Sequence, residues 1–222
     1  MSALTNKKPL LSYLNPVSPI AETYRSLRAN IQFCSLDQPV RTVLVTSAKG
    51  GEGKTTTAAN LAILFAEEKK RVLLVDADLR NPSLHHVFSR ANRVGITNTL
   101  SDQSDVQEAI QDTSIDRLSL LTTGPIPTNP AELLAKFRLE KTFREIKQSF
   151  DIVIVDSPPV LPVTDSLLLS SQCDGVVLVL QSGKTKREDA RKTVQALELA
   201  QCRLLGTVLN NKRTKRSKMS FI

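Results

Sequence analysis

Five short runs of Val, Ile and Leu recur along the chain with almost no polar residue alternating through them. They are Val43-Leu44-Val45, Val72-Leu73-Leu74-Val75, Ile152-Val153-Ile154-Val155, residues 176–180 and residues 204–209. A strand with one wet face alternates apolar and polar side chains; a strand covered on both faces does not. The runs therefore predict strands of a parallel sheet buried on both sides, with a weaker sixth strand at residues 118–121. Helical patterns fall between them. Residues 55–68 place Ala58, Ala59, Ala62, Phe65 and Ala66 on one broad face, and residues 187–200 repeat Ala190, Val194, Leu197 and Ala200 at helical spacing. Residues 129–148 read as one helical segment: Asn129 caps, Pro130 suits the first helical position, and Glu132 stands where a capping box wants it. Strand and helix in alternation predict right-handed crossovers and an open, mostly parallel β-sheet flanked by helices, a three-layer α/β sandwich. In such a sheet the ligand site lies at the carboxyl ends of the strands.

That end of the first strand carries the sequence 48-AKGGEGKT-55. It matches the phosphate-binding pattern G-x-x-x-x-G-K-[ST] except that Ala48 replaces the first glycine, a replacement that backbone with negative φ tolerates. Gly51 and Gly53 let backbone N–H groups turn toward phosphate oxygens. Lys54 is placed to neutralise β- and γ-phosphates, and the Thr55 hydroxyl to bind Mg²⁺. The helix that starts there adds its N-terminal field. The expected nucleotide-binding set is Lys49, Gly50, Gly51, Glu52, Gly53, Lys54, Thr55 and Thr56. Two other strand ends carry carboxylates: 72-VLLVDADLR-80 ends in Asp76 and Asp78, and 151-DIVIVDSPP-159 in Asp156. Three carboxylates beside a phosphate loop suit a hard, oxygen-seeking Mg²⁺, and one could accept a proton from an attacking hydroxyl.

Taken together, the phosphate loop, the DADLR segment (Walker A′) and the VIVDSPP segment (Walker B) resemble the bacterial tyrosine kinases of the CapB/CpsD capsule and exopolysaccharide type, within the MinD/ParA group of P-loop proteins. The stretches 124-GPIPTNPAELL-134 and 156-DSPPVLPVTDS-166 support the resemblance, as does an E-x-x-R-x-x-R motif at Glu22, Arg25 and Arg28. It implies an ATP- and Mg²⁺-dependent protein tyrosine kinase that regulates surface polysaccharide synthesis. Lys54 would polarise the phosphates, while Thr55, Asp78 and Asp156 would organise the metal. Asp76 would be the base for the tyrosine hydroxyl. Asn210 would read adenine, though a plain turn Asn is the competing reading. Glu22, Arg25 and Arg28 would join subunits into a ring. A transmembrane adaptor of the polysaccharide chain-length-regulator type would be the activator, holding the chain at the inner face of the plasma membrane. No H-R-D or D-F-G segment of the eukaryotic kinase type is present.

The implied organisation is a flexible N-terminal arm at 1–18, a P-loop kinase domain at 19–211 with an oligomerisation helix at 19–34, and a basic tail at 212–222. The tail holds five Lys or Arg and no tyrosine. It reads either as a solvated tail or as a contact for an anionic membrane surface. Nucleic acid lacks support, because aromatics make up only 4% of the chain and no helix-turn-helix pattern accompanies the charge. No apolar run approaches ~20 residues and no secretory leader is recognisable, so a cytoplasmic protein is expected. Cys34, Cys173 and Cys202 fit reduced thiols, and His85-His86 local packing.

Two features depart from the kinases. Tyr13 and Tyr24 are the only tyrosines, with Tyr13 the better intramolecular acceptor. Lys49 gives the loop the K-G-G-x-G-K-T form of MinD and ParA switches, where that lysine crosses to a partner's nucleotide. A solvated surface lysine is the other reading. The alternative to the kinase is therefore an ATPase switch that dimerises and recruits partners without phosphorylating them.

Overall fold

The computed structural model describes residues 10–36, 38–135 and 138–211. In chain order they form α1 (Leu11–Leu14), α2 (Pro19–Cys34), β1 (Thr42–Ser47), α3 (Lys54–Glu67), β2 (Val72–Asp76), α4 (Leu84–Val87), α5 (Ile96–Leu100) and α6 (Val106–Ala109). There follow β3 (Ile110–Asp112), β4 (Leu118–Leu121), α7 (Pro130–Leu134), α8 (Arg138–Ser149), β5 (Ile152–Asp156), α9 (Asp165–Ser170), β6 (Gly175–Gln181), α10 (Arg187–Leu199) and β7 (Leu204–Asn210). The strands make one sheet in the order β3-β4-β2-β5-β1-β6-β7. All pairings are parallel except β3 against β4.

Every residue of β1, β2 and β5 is buried, as unalternating apolar runs require. Their side chains feed two cores. Val43, Val45, Leu74 and Ile154 pack toward α3, which is buried without interruption from Thr57 to Ala66. Leu44, Leu73, Val153 and Val155 pack on the other face with Leu139, Phe143 and Ile146 of α8. The three-layer expectation therefore holds. The chain leaves β1 toward β2 on one side and later returns to add β6 on the other. The loop after β1 thus stands where the strand order reverses, the crevice in which such sheets bind ligands.

Three expectations are corrected. Residues 129–148 form two helices, α7 and α8, and Ala135 caps the first. One continuous helix carrying on from Leu134 would bring Arg138 and Lys141 onto the buried stripe. Breaking it lets Leu133, Leu134, Leu139, Phe143 and Ile146 share one core. The antiparallel edge strand β3 was not foreseen, being only three residues long with a half-exposed pattern. The expected arm at 1–18 is part of the fold from Leu10 onward. Leu10 is buried, and the Ser12 amide donates to Asn60 Oδ1 on α3 at 2.7 Å. Residues 1–9 and the basic tail at 212–222 lie outside the described residues. Among those described, no helix is long and apolar enough to cross a membrane.

Candidate active site

The loop between β1 and α3 gets its shape from two glycines and a buried glutamate. Gly51 and Gly53 take φ of +76° and +100°, a region that strains other residues. Ala48 is not among the positive-φ residues, which explains why a Cβ is accepted there. Glu52, expected among the nucleotide contacts, points inward instead. It is 2% exposed, and its Oε2 accepts the backbone N–H groups of Ala48 at 2.9 Å and Lys49 at 3.1 Å. Its Oε1 accepts the Thr185 hydroxyl. Glu52 is therefore a brace for the loop, tying it to the turn after β6. Gly50 and Gly51 stay exposed, while Thr55 and Thr56 lie on the first turn of α3.

Asn210, at the end of β7, also reaches the loop. Its Nδ2 donates to the Glu52 carbonyl at 2.9 Å, and its Oδ1 accepts the Asn211 amide at 2.9 Å. A Cβ on Gly53 would stand 2.1 Å from that Nδ2, so a side chain there, already disfavoured by φ, would also displace the Asn210 amide from the loop.

The carboxylates converge as expected. Asp76 and Asp156 are partners in register at the carboxyl ends of neighbouring strands, and Asp78 follows two residues on. Asp78 is occupied: its Oδ2 accepts Lys54 Nζ at 2.8 Å and its Oδ1 the Asn81 amide at 3.0 Å. Asp76 Oδ2 accepts the amides of Ser83 at 3.0 Å and Leu84 at 2.9 Å, leaving its buried Oδ1 without a partner. Among the described residues neither buried oxygen of Asp156 accepts a well-formed hydrogen bond, although the Thr55 hydroxyl lies near enough to favour its ionised form.

Electrostatics follows from this arrangement. Burial pushes the Asp156 carboxyl up to about 7, with Asp76 adding to the rise and Lys54 opposing it. Burial likewise raises Asp76 to about 6, against the two backbone amides that hold it. Burial pulls the Lys54 ammonium down, but Asp156, Asp78 and Asp76 together more than offset it, and its pKa is raised. Orphaned buried carboxylate oxygens beside a threonine hydroxyl are the donor set that Mg²⁺ takes. Among the described residues no three His, Cys, Asp or Glu side chains could hold a metal by themselves. That suits a cation which completes its shell with phosphate oxygens and water rather than with an all-protein cage.

Surrounding ion pairs fix the loops that carry these groups. Arg80 grips the fully buried Asp165 through Nε at 2.8 Å and Nη2 at 3.1 Å, tying the segment after β2 to α9. Lys49 Nζ pairs with Asp189 on α10 at 2.8 Å while its side chain stays exposed, so this lysine is a surface residue engaged within its own chain. Glu22, Arg25 and Arg28 lie elsewhere, on α2. Arg25 pairs with Glu22 at 2.6 Å. Arg28 turns inward to the Leu64 carbonyl at 2.7 Å and lies 3.1 Å from Glu68. That contact is ten residues along α3 from Lys54, about 15 Å at helical rise. Thr185, Asp189, Arg80 and Asp165 were not singled out from the sequence. Arg80 and Asp165 lie within the quoted DADLR and DSPPVLPVTDS stretches, but their pairing, like the contacts of Thr185 and Asp189, joins segments distant along the chain.

A glycine loop on a helix N-terminus, its lysine paired to a carboxylate at the next strand end and an orphaned aspartate on the strand between, define a P-loop nucleotide-binding α/β protein. Comparison with known proteins narrows the class. Residues 40–204 match the family model described as an AAA domain. The tyrosine-protein kinase YwqD of Bacillus subtilis (strain 168) is 44% identical over 207 residues, covering 93% of this chain and 87% of that protein. The crystal structure of the chimerical protein CapA2B2 superposes with a TM-score of 0.89 at 36% identity, covering 93% of this chain and 91% of that one. More distantly, the septum site-determining protein MinD complexed with Mg-ADP from Pyrococcus horikoshii OT3 gives a TM-score of 0.68 at 25% identity, covering 79% and 72% of the two chains. The chain belongs to the bacterial tyrosine-protein kinases.

Proposed function

We propose that this kinase transfers the γ-phosphoryl group of ATP, bound with Mg²⁺, to tyrosine hydroxyls, and that it does so in the control of capsular or exopolysaccharide synthesis. The observation that carries the reading is the pairing of a poised Lys54 with unpartnered oxygens on Asp76 and Asp156 at the mouth of the glycine loop. Lys54, released from Asp78, neutralises β- and γ-phosphate oxygens. Thr55 and Asp156 would supply oxygens for the cation, joined by Asp78 once Lys54 has left it. Bound Mg²⁺ would offset the negative charge that develops during transfer. Asp76 holds its Oδ2 on backbone amides and keeps Oδ1 for the tyrosine proton. Its raised pKa makes it a better base than an ordinary aspartate while leaving it mostly ionised at neutral pH. Asn210, already beside the loop, contacts the base of the nucleotide.

The activator we propose is a membrane adaptor whose cytoplasmic segment docks on the kinase at the inner face of the plasma membrane. Subunits would assemble through the Glu22-Arg25-Arg28 helix, and the basic tail would add attraction to anionic lipid. The resemblance to the bacterial tyrosine kinases supports this reading. The switch alternative rests on Lys49, and its contact with Asp189 gives that reading no added support.

The test is transfer of labelled γ-phosphate from ATP to a tyrosine substrate in the presence of Mg²⁺ and a candidate adaptor segment. Phosphotyrosine is expected with the unaltered chain and at least ~100-fold less with Lys54→Met, since charge stabilisation of this kind is worth ~10²–10³ in rate. Equal signal from both proteins would defeat the reading.

A further inference from the structure

Three lysines surround the glycine loop, and two of them are already paired. Lys54 holds Asp78 and Lys49 holds Asp189, each at 2.8 Å. The third, Lys184, comes from the turn between β6 and α10. A methyl group placed on Gly51 would meet its Nζ at 3.6 Å, so the ammonium hangs over the apex of the loop. Among the described residues no carboxylate forms an ion pair with it. An exposed lysine of this kind is ordinarily a solvated one whose position means little.

The backbone around Lys184 argues otherwise. Thr185 donates its hydroxyl to Glu52, whose other carboxylate oxygen accepts two amides of the glycine loop. The Gln181 amide donates to Thr185 Oγ1 at 2.8 Å, and the Lys184 and Thr185 amides return to the Gln181 carbonyl at 3.2 and 3.0 Å. The Ser182 amide donates to the Asn210 carbonyl at 2.9 Å, and Gly183 at φ +74° closes the turn. The turn and the glycine loop are one hydrogen-bonded unit. The backbone of Lys184 is thereby fixed relative to the phosphate cradle, and only its flexible side chain must be ordered by a ligand.

We propose that Lys184 is a binding residue for the terminal phosphate of a nucleoside triphosphate. The inference rests on the nucleotide reading of the loop and adds a function to it. Lys54, at the start of α3, reaches the β- as well as the γ-phosphate, and so has a partner in both the di- and the triphosphate. Lys184 stands on the open side of the loop, where the outermost phosphate adds its charge. It therefore distinguishes a loaded from a spent nucleotide. The point charge of a lysine on a flexible stem suits an oxygen whose position changes between those two states.

Calorimetric titration of the full chain tests this, with Mg²⁺ present and with two probes, ADP and a non-hydrolysable ATP analogue. Lys184→Met is expected to weaken the triphosphate about tenfold, the scale of one lost charge-assisted hydrogen bond, and ADP by less than about twofold. Lys184→Arg should restore most of the difference. Equal weakening of both probes would mean that the turn only shapes the loop, and no weakening of either would mean a solvated lysine; each overturns the assignment. Lys54→Met keeps the two readings apart. If the unaltered chain binds both probes and Lys54→Met binds neither, the nucleotide reading stands whatever Lys184 does. If the unaltered chain binds neither probe, both readings fall together.

Discussion

Asp156 presents two buried oxygens that accept no hydrogen bond of good geometry among the described residues, next to a second buried aspartate. A residue left in that condition destabilises the ligand-free fold and is retained because a ligand relieves it. The sign of the pH dependence follows. Asp76 and Asp156 have folded-state values of about 6 and about 7, raised above 3.8 first of all by burial. Between pH ~4 and ~7 the folded chain therefore holds protons that the unfolded chain has released. The stability these groups contribute is present at low pH and lost as pH rises through 6 to 7. Asp156→Asn should raise the ligand-free Tm at pH 8 by about 2–4 °C, and should flatten the fall in Tm between pH 5.5 and 8. Thermal unfolding of the two proteins across that range measures it. Mg²⁺ with nucleotide is expected to raise the Tm of the unaltered chain, and the variant should lose that shift. Identical pH slopes would show that the raised carboxyl has no such cost.

At the level of elements, the glycine loop is held less by its own sequence than by the turn after β6. Glu52 is the joint. Glu52→Ala leaves the Ala48 and Lys49 amides without an acceptor, a loss of about 1–3 kcal/mol in urea unfolding. Both ADP and ATP should weaken together, because the cradle itself deforms. This is the pattern that separates a brace from the contact assigned to Lys184. The same joint marks the limit of what the sequence reveals. Strands β1, β2, β5 and most of β6 were readable because burial on both faces removes polar alternation, and α3 because its alanines crowd one side. The run at 204–209 does form β7, but as an edge strand it is half-exposed rather than buried on both faces, with Leu209 54% exposed. Lys54, Asp76, Asp78 and Asp156 were readable because strand ends locate themselves. The inward turn of Glu52 was not, since a glutamate between two glycines reads as exposed. Nor was the break between α7 and α8 anticipated, although Arg138 and Lys141 at the wrong phase were the visible signal. Thr185 and Asp189 meet the loop only because β6 lies beside β1, and strand order is not written in any local pattern.

Across the whole molecule, α2 has a double position. Its Glu-x-x-Arg-x-x-Arg motif suggested an assembly surface, yet the structure divides those residues. Arg25 is partly exposed and bonds to Glu22 and the Pro16 carbonyl, near the surface. Arg28 docks α2 onto α3 through the Leu64 carbonyl and Glu68, while Ala21, Tyr24 and Ile31 are buried on the same helix. An arginine with a half-buried stem and a carbonyl to satisfy contributes to the fold of a single chain, whatever it adds between chains. Arg28→Ala is therefore expected to cost about 1–3 kcal/mol in urea unfolding at concentrations where the chain is monomeric. Arg25→Ala should stay within about 0.5 kcal/mol of the unaltered chain, as exposed substitutions do. If Glu22 and Arg25 form the subunit contact, Arg25→Ala alone should abolish larger species in sedimentation while leaving the monomer's unfolding curve in place. Loss of monomer stability in Arg25→Ala, or none in Arg28→Ala, would reverse this division. A double substitution of the two arginines cannot make the distinction, because it weakens the kinase fold and the proposed ring at once.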